Sequence, residues 1–255
     1  LKETNEIGFS GIEAGGKFPK NSNELIPKLE KENLKLCSGW YGANLLKNTV
    51  KEEILVMKDQ LDLFKECNAP CMVVAEVSGS IQGEVKIPLS KRPILNMDEW
   101  KTFYNKISEI SKYMEDTGVP LAYHHHMGTV VQSQEDTERL IDNTSDTVKL
   151  LIDTGHMMFA GGDFVKIAKD YSSRLQHVHC KDIRKDVLDM SLKNDLSFID
   201  AFFAGAFTVP GDGCINYENF LKILKNFNYK GWLVVEAEQD PKKANPFEYG
   251  KIGFN

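Results

Sequence analysis

All six histidines of the chain, His124, His125, His126, His156, His177 and His179, fall in three short windows. Imidazoles grouped in this way bind metal ions or carry protons near neutral pH, because a neutral ring offers one lone pair and titrates in the physiological range. Carboxylates stand with them: Asp153 lies three residues before His156, and Glu236 and Glu238 close a late apolar run. Side chains alternate along a strand, so His124 shares a face with His126, His177 with His179 and Lys181, and Glu236 with Glu238. A mixed set of Asp153, Glu236, His179 and one of His124 or His126 suits Mn²⁺, Co²⁺ or Zn²⁺, and is too poor in thiolate for an iron–sulfur or structural zinc site. Lys181 points into the same mouth, where burial beside a cation is expected to lower its pKa. His125 points away from its neighbours and reads as a packing residue, and His177, deeper in its run, as structural.

These windows can act together only if the fold brings them to one place. Short apolar runs at Phe9 to Ala14, Leu34 to Gly39, Met72 to Val77, Pro120 to His124, Val148 to Asp153, Leu175 to His179 and Trp232 to Glu236 read as seven strands. Between them, residues 23 to 33, 51 to 67, 98 to 116, 133 to 143, 164 to 172 and 217 to 227 have helical periodicity, as with Trp100, Phe103, Ile107, Ile110 and Tyr113. Alternating strands and helices imply a parallel sheet covered by helices. Almost every strand finishes in polar or ionisable residues, which favours a (β/α)₈ TIM barrel, where all strand ends converge, over an open sheet with one switch point. The chain starts in what reads as the end of a helix, so the first strand is expected to be absent from it, and residues 1 to 255 are expected to form a single TIM-barrel domain. Residues 78 to 97 and 185 to 213 interrupt the alternation after strands and are candidate lids.

Composition narrows the function. With 31 Lys plus Arg against 37 Asp plus Glu the formal net charge is −6, which disfavours a nucleic-acid partner. No apolar run reaches membrane-spanning length. The five cysteines are odd in number and lack redox-pair or zinc-ribbon spacing, so a reduced, cytoplasmic protein is expected. A homo-oligomer is open, but no apolar stripe is distinctive enough to place its interface.

The segments Tyr123 to Thr129, Asp153 to His156, His177 to Arg184, Phe207 to Gly213 and Glu236 to Pro241, with Phe9 to Pro19 and Glu76 to Gly83, resemble the inosose dehydratases among the xylose-isomerase-like barrels. The resemblance implies Asp153, His179 and Glu236 as metal ligands, with His124 as the aligned fourth and His126 as its alternative. It also supplies a substrate, the polyhydroxylated cyclic ketone 2-keto-myo-inositol, and a reaction, loss of water to a trihydroxycyclohexane dione. His156, Lys181 and Glu238 are then the candidate acid and base groups. Glu13, Lys17, Trp40, Glu76 and Gln82, at or just past strand ends, and Arg184 are candidates for holding the substrate, beside His126. A metal-dependent sugar isomerase or epimerase is the alternative enzyme, because the same enediolate can be reprotonated instead of losing water. A sugar-binding barrel without turnover is the alternative outside enzymes.

Overall fold

Strands that are apolar on both faces can be buried only in a sheet covered by helices, and Met72–Glu76 is buried at every position. The computed structural model describes residues 1–255 and shows that arrangement. In chain order the first half contains α1 (Lys2–Ile7), β1 (Gly11–Ala14), α2 (Ser22–Lys31), β2 (Lys35–Ala43), α3 (Val50–Glu66), β3 (Met72–Glu76), α4 (Met97–Thr117), β4 (Leu121–His124) and α5 (Gln134–Asp142). The second half contains β5 (Lys149–Asp153), α6 (Thr154–Phe159), α7 (Phe164–Asp170), β6 (Leu175–Cys180), β7 (Asp182–Ile183), α8 (Lys185–Lys193) and α9 (Phe198–Ala204). It ends with β8 (Phe207–Thr208), α10 (Tyr217–Asn226), β9 (Leu233–Val235) and α11 (Pro246–Phe254). All seven expected strands are present, and they form one parallel sheet in the order β1-β2-β3-β4-β5-β6-β9.

The sheet curls into a nearly closed barrel. No ladder joins β1 to β9, yet Glu13 on β1 reaches His177 and His179 on β6 across the interior. The long helices begin where the sequence provides caps: Thr49 with Glu52, Asn96 with Glu99 and Ser133 with Asp136 all form capping boxes. Their apolar stripes join the strands in a cluster of 36 buried residues around the barrel.

The segment 185 to 213 differs from the expected loop. It holds α8, α9 and β8, the last paired antiparallel with β7 just before the segment. It packs on the other interruption: Leu89 N–H donates to the Leu196 carbonyl, Lys86 N–H to Asp200, and Ser90 N–H to Asp195. Leu89, Met127, Phe159, Leu188, Phe198 and Phe207 belong to a second apolar cluster beneath these segments. The two interruptions thus form one cap over the C-terminal ends of the strands. No helix is long and apolar enough to cross a membrane.

Candidate active site

Strand register sets the first cluster. Asp153 on β5 and His179 on β6 are direct partners across parallel strands, and Glu236 follows β9 with its N–H donating to the Cys180 carbonyl. His124 ends β4 next in the sheet. One donor atom from each of His124, Asp153, His179 and Glu236 lies within 4.8 Å of the others. The separations are 3.6 Å from His124 Nε2 to Asp153 Oδ2, 3.5 Å from His179 Nδ1 to Asp153 Oδ2, and 2.8 Å from His179 Nδ1 to Glu236 Oε2.

Each donor is aimed by a second contact. Asp153 Oδ1 accepts from His156 N–H as the N-cap of α6, which leaves Oδ2 alone at the centre, and the Asp153 N–H donates to His125 Nε2. His124 Nδ1 is 2.7 Å from the His125 carbonyl, so it carries the proton and Nε2 presents its lone pair. His179 Nε2 lies 3.2 Å from the Glu13 carboxylate, which also meets His177 Nε2 at 2.9 Å. That contact turns His179 Nδ1 inward. His177 is fixed on its other side by Cys71, 3.7 Å away. Burial alone would raise the Glu13 carboxyl, but His179 and His177 hold it well below the usual range.

Three buried atoms then lack partners in a way that fits a cation. Asp153 Oδ2, Glu236 Oε2 and His179 Nδ1 are buried without a well-formed hydrogen bond; the Lys181 ammonium stands 3.2 Å from each of the two oxygens and offsets part of their charge, and a divalent ion would offset the rest. Bonds of about 2.1 Å to a tetrahedral ion place donors about 3.4 Å apart; the His124–Asp153 and His179–Asp153 separations match this, and the His179–Glu236 separation of 2.8 Å is shorter. Two imidazoles and two carboxylates are a suitable set for Zn²⁺, Mn²⁺ or Co²⁺. On the cap side Gln82 Oε1 is likewise buried without a partner.

A second cluster adjoins the first. His126, His156 and Glu238 also bring one donor each within 4.8 Å, and Lys181 lies between the two clusters. Its Nζ is 3.2 Å from Asp153 Oδ2, 3.2 Å from Glu236 Oε2, 2.8 Å from Glu238 Oε2 and 3.0 Å from His156 Nε2. Burial would lower the pKa of Lys181, but these carboxylates hold it well above the ordinary lysine value. For His156, burial, then the Lys181 and His126 charges, push the ring down to about 3. It is therefore neutral at pH 7.

The clusters face a cavity of about 330 Å³, small for a ligand site. Trp40 forms one wall, with its ring 5.5 Å from His124 and 5.4 Å from His126. Gln82 and Phe198 close it from the cap. Gly128 makes this approach possible: at φ 79° a Cβ there would stand 2.8 Å from the Gln82 nitrogen. Three residues expected at the site lie elsewhere. Lys17 is exposed on the β1–α2 loop. Glu76 is buried, but its oxygens accept from Leu45 N–H at 2.7 Å and Ser78 N–H at 2.8 Å, so it secures two loops. Arg184 pairs with Asp212 at 2.6 Å and donates to the Gly205 carbonyl, tying the cap to the loop before α10. Glu13 sits behind His179. Phe198, conversely, has no sequence signal, because it lies in the segment read as a loop.

A parallel barrel with an aspartate, a histidine and a final glutamate converging at its strand ends defines a class of protein, and residues 1–250 match the family described as the xylose isomerase-like TIM barrel. The chain belongs to that family. Within it, the chain is 44% identical over 251 residues to Inosose dehydratase 2 of Bacillus cereus, covering 98% of this chain and 84% of that protein. It is 42% identical over 253 residues to Rhizopine catabolism protein MocC of Rhizobium meliloti, covering 99% and 78%. A crystal structure of the IOLI protein with a binding zinc atom matches with a TM-score of 0.67 at 17% identity, over 99% of this chain and 87% of that one. At that identity the likeness is one of fold.

Proposed function

We propose that this chain is a metal-dependent dehydratase that removes water from 2-keto-myo-inositol to leave a trihydroxycyclohexane-1,2-dione, acting in the cytoplasm on inositol breakdown. The relatives named inosose dehydratase support the reaction. The observation that carries it into chemistry is the adjacency, in one small cavity, of a four-donor cluster and a His126–His156–Glu238 cluster bridged by Lys181. The five free cysteines fit a reducing compartment.

His124, Asp153, His179 and Glu236 would hold the ion, Mn²⁺ or Co²⁺ in our reading. A divalent ion bound there supplies Lewis acidity that polarises the ketone and acidifies the neighbouring C–H. Glu238 is the base. Burial would raise its carboxyl, but Lys181, His156 and His126 hold it well below the usual range, so it is ionised and ready to take the α-proton. As the C–H bond breaks, the electron pair forms the new C=C bond and expels the β-hydroxyl, which takes a proton from Lys181 and leaves as water; the α-carbon's own hydroxyl makes this product an enol, which tautomerises, losing the O–H proton and gaining one at the former β-carbon, to the 1,2-dione. Neutralising Glu238 removes one of the carboxylates that hold the lysine proton. The 2.8 Å contact between Lys181 Nζ and Glu238 Oε2 then returns the proton from Glu238 to Lys181, and both are reset. His156, neutral, accepts from Lys181 and keeps its ammonium aimed. Trp40 and Phe198 offer apolar surfaces to the C–H faces of the ring, and Gln82 Oε1 accepts from a hydroxyl.

The test is chelator-stripped protein given 2-keto-myo-inositol with and without Mn²⁺, Co²⁺ or Zn²⁺, with the product followed by mass. Metal-dependent loss of one water is the expected result. A new isomer of unchanged mass would replace this reading with the isomerase, and no reaction under any ion would replace it with a binding barrel.

A further inference from the structure

We propose that Lys181 is a built-in cation that fills a latent second metal position, formed by His126, His156 and Glu238, and so limits the centre to one divalent ion. The inference rests on the metal-centre reading above, and extends it to a position that this reading does not use for metal.

The second cluster has the form of a binding site. His126 Nδ1 lies 2.9 Å from the Met127 carbonyl and therefore carries the proton, leaving the Nε2 lone pair toward the cavity. His156 Nε2 accepts from the Lys181 ammonium, so its lone pair also faces inward. The separations are 3.3 Å from His156 Nε2 to Glu238 Oε2 and 3.9 Å from His126 Nε2 to Glu238 Oε1. They bracket the donor spacing of about 3.4 Å around a four-coordinate ion. Two imidazoles and a carboxylate, with open positions for water or substrate, are the donor set of a catalytic divalent metal.

What separates this cluster from the first is the ammonium. The Lys181 stem passes over Gly155, where any Cβ would stand 2.8 Å from Lys181 Cγ. Its Nζ lies 5.5 Å from the Phe207 ring centroid. The lysine is fully enclosed, with 1% of its surface exposed. Its single charge is nearest Glu238, at 2.8 Å, and is shared with Asp153 and Glu236 at 3.2 Å each. One divalent ion and one ammonium carry three positive charges among four carboxylates, Asp153, Glu236, Glu238 and, behind His179, Glu13. A second divalent ion beside the lysine would add an uncompensated charge in a buried site, which is strongly unfavourable.

Removing the lysine charge should admit the second ion. The experiment counts Mn²⁺ bound to chelator-stripped protein by equilibrium dialysis and elemental analysis, with electron paramagnetic resonance to detect magnetic coupling between neighbouring ions. We expect one ion in the wild type and two coupled ions in Lys181→Met and Lys181→Gln. Adding His126→Ala to either variant should return the count to one. Lys181→Gln retains hydrogen-bond donors to Glu238, so it preserves the test if Lys181→Met fails to fold. Two ions in the wild type, or a single ion in every folded lysine variant, would overturn the proposal. No ion in the wild type or in any variant would overturn the metal-centre reading itself.

Discussion

The shoulder of the barrel between β2 and β3 and its mouth at β5, β6 and β9 each hold two carboxylates with buried oxygens, but the two regions treat them in opposite ways. At the shoulder, Glu53 accepts from the Tyr41 hydroxyl at 2.6 Å, Asn44 N–H at 3.1 Å and Asn48 Nδ2 at 2.7 Å. Glu76 accepts from the Leu45 and Ser78 amides. Every oxygen there has a partner within the protein, so these groups brace loops. At the mouth, Asp153 Oδ2 and Glu236 Oε2 are buried with no well-formed hydrogen bond and share one ammonium, that of Lys181, at 3.2 Å. A folded chain tolerates that deficit where a cation makes up for it. Burial of a carboxylate therefore does not mark a site; the unspent oxygen does.

The strongest way to break this contrast is Asp153→Asn. It keeps a side-chain oxygen to cap α6, so the expected result is a folded protein that no longer retains one ion per chain. Its dehydration rate should fall about 1,000-fold or more. Retained metal and turnover would place the centre elsewhere. Next in size is Glu13→Gln, which leaves the four donors intact but loosens the aim of His179. Metal affinity should fall about 10- to 100-fold, measured by competition with a chelating dye, with the unfolding midpoint of the metal-free protein nearly unchanged.

The shoulder should respond the other way round. Glu76→Gln sets an amide NH₂ against a backbone N–H, and should cost about 1–3 kcal/mol in urea unfolding while one ion still binds. Loss of metal without loss of stability would erase the distinction between the two regions. The pH dependence sharpens it. Burial raises the Glu76 carboxyl above 4.5 despite its hydrogen bonds. The folded state then binds more protons than the unfolded state just above pH 4.5, so this contribution to stability is present below that pH and is lost as pH rises through the folded value. The stability advantage of wild type over Glu76→Gln should shrink across that window. The smallest effect belongs to Gln82→Ala, which removes one cap-side acceptor. KM should rise about five- to tenfold, about 1 kcal/mol, with kcat within about twofold, and an unchanged KM would remove Gln82 from the pocket wall.

Much of the frame was legible from residue order alone. Apolar runs and helical stripes are local patterns, so all seven strands and the long helices could be located, and period-two alternation put His179 with Lys181 and Glu236 with Glu238. Histidines confined to strand ends pointed to one mouth for the same local reason. The helices α8 and α9 escaped, although α5 and α7 of the same lengths were located, and Phe198 escaped with them.

What only the tertiary structure decided is where each polar atom finds its partner. Glu13, Glu76 and Glu236 all stand at strand ends. Nothing local in the chain distinguishes the one that aims a histidine, the one that braces two loops and the one whose oxygen is left unpaired. His124 joined Asp153, His179 and Glu236, and His126 joined His156 and Glu238, through strand register and ring orientation. Hydrogen bonds and charge pairs depend on distances of a few tenths of an ångström between residues far apart in sequence. Periodicity sets the face a side chain occupies, and packing sets what it meets there.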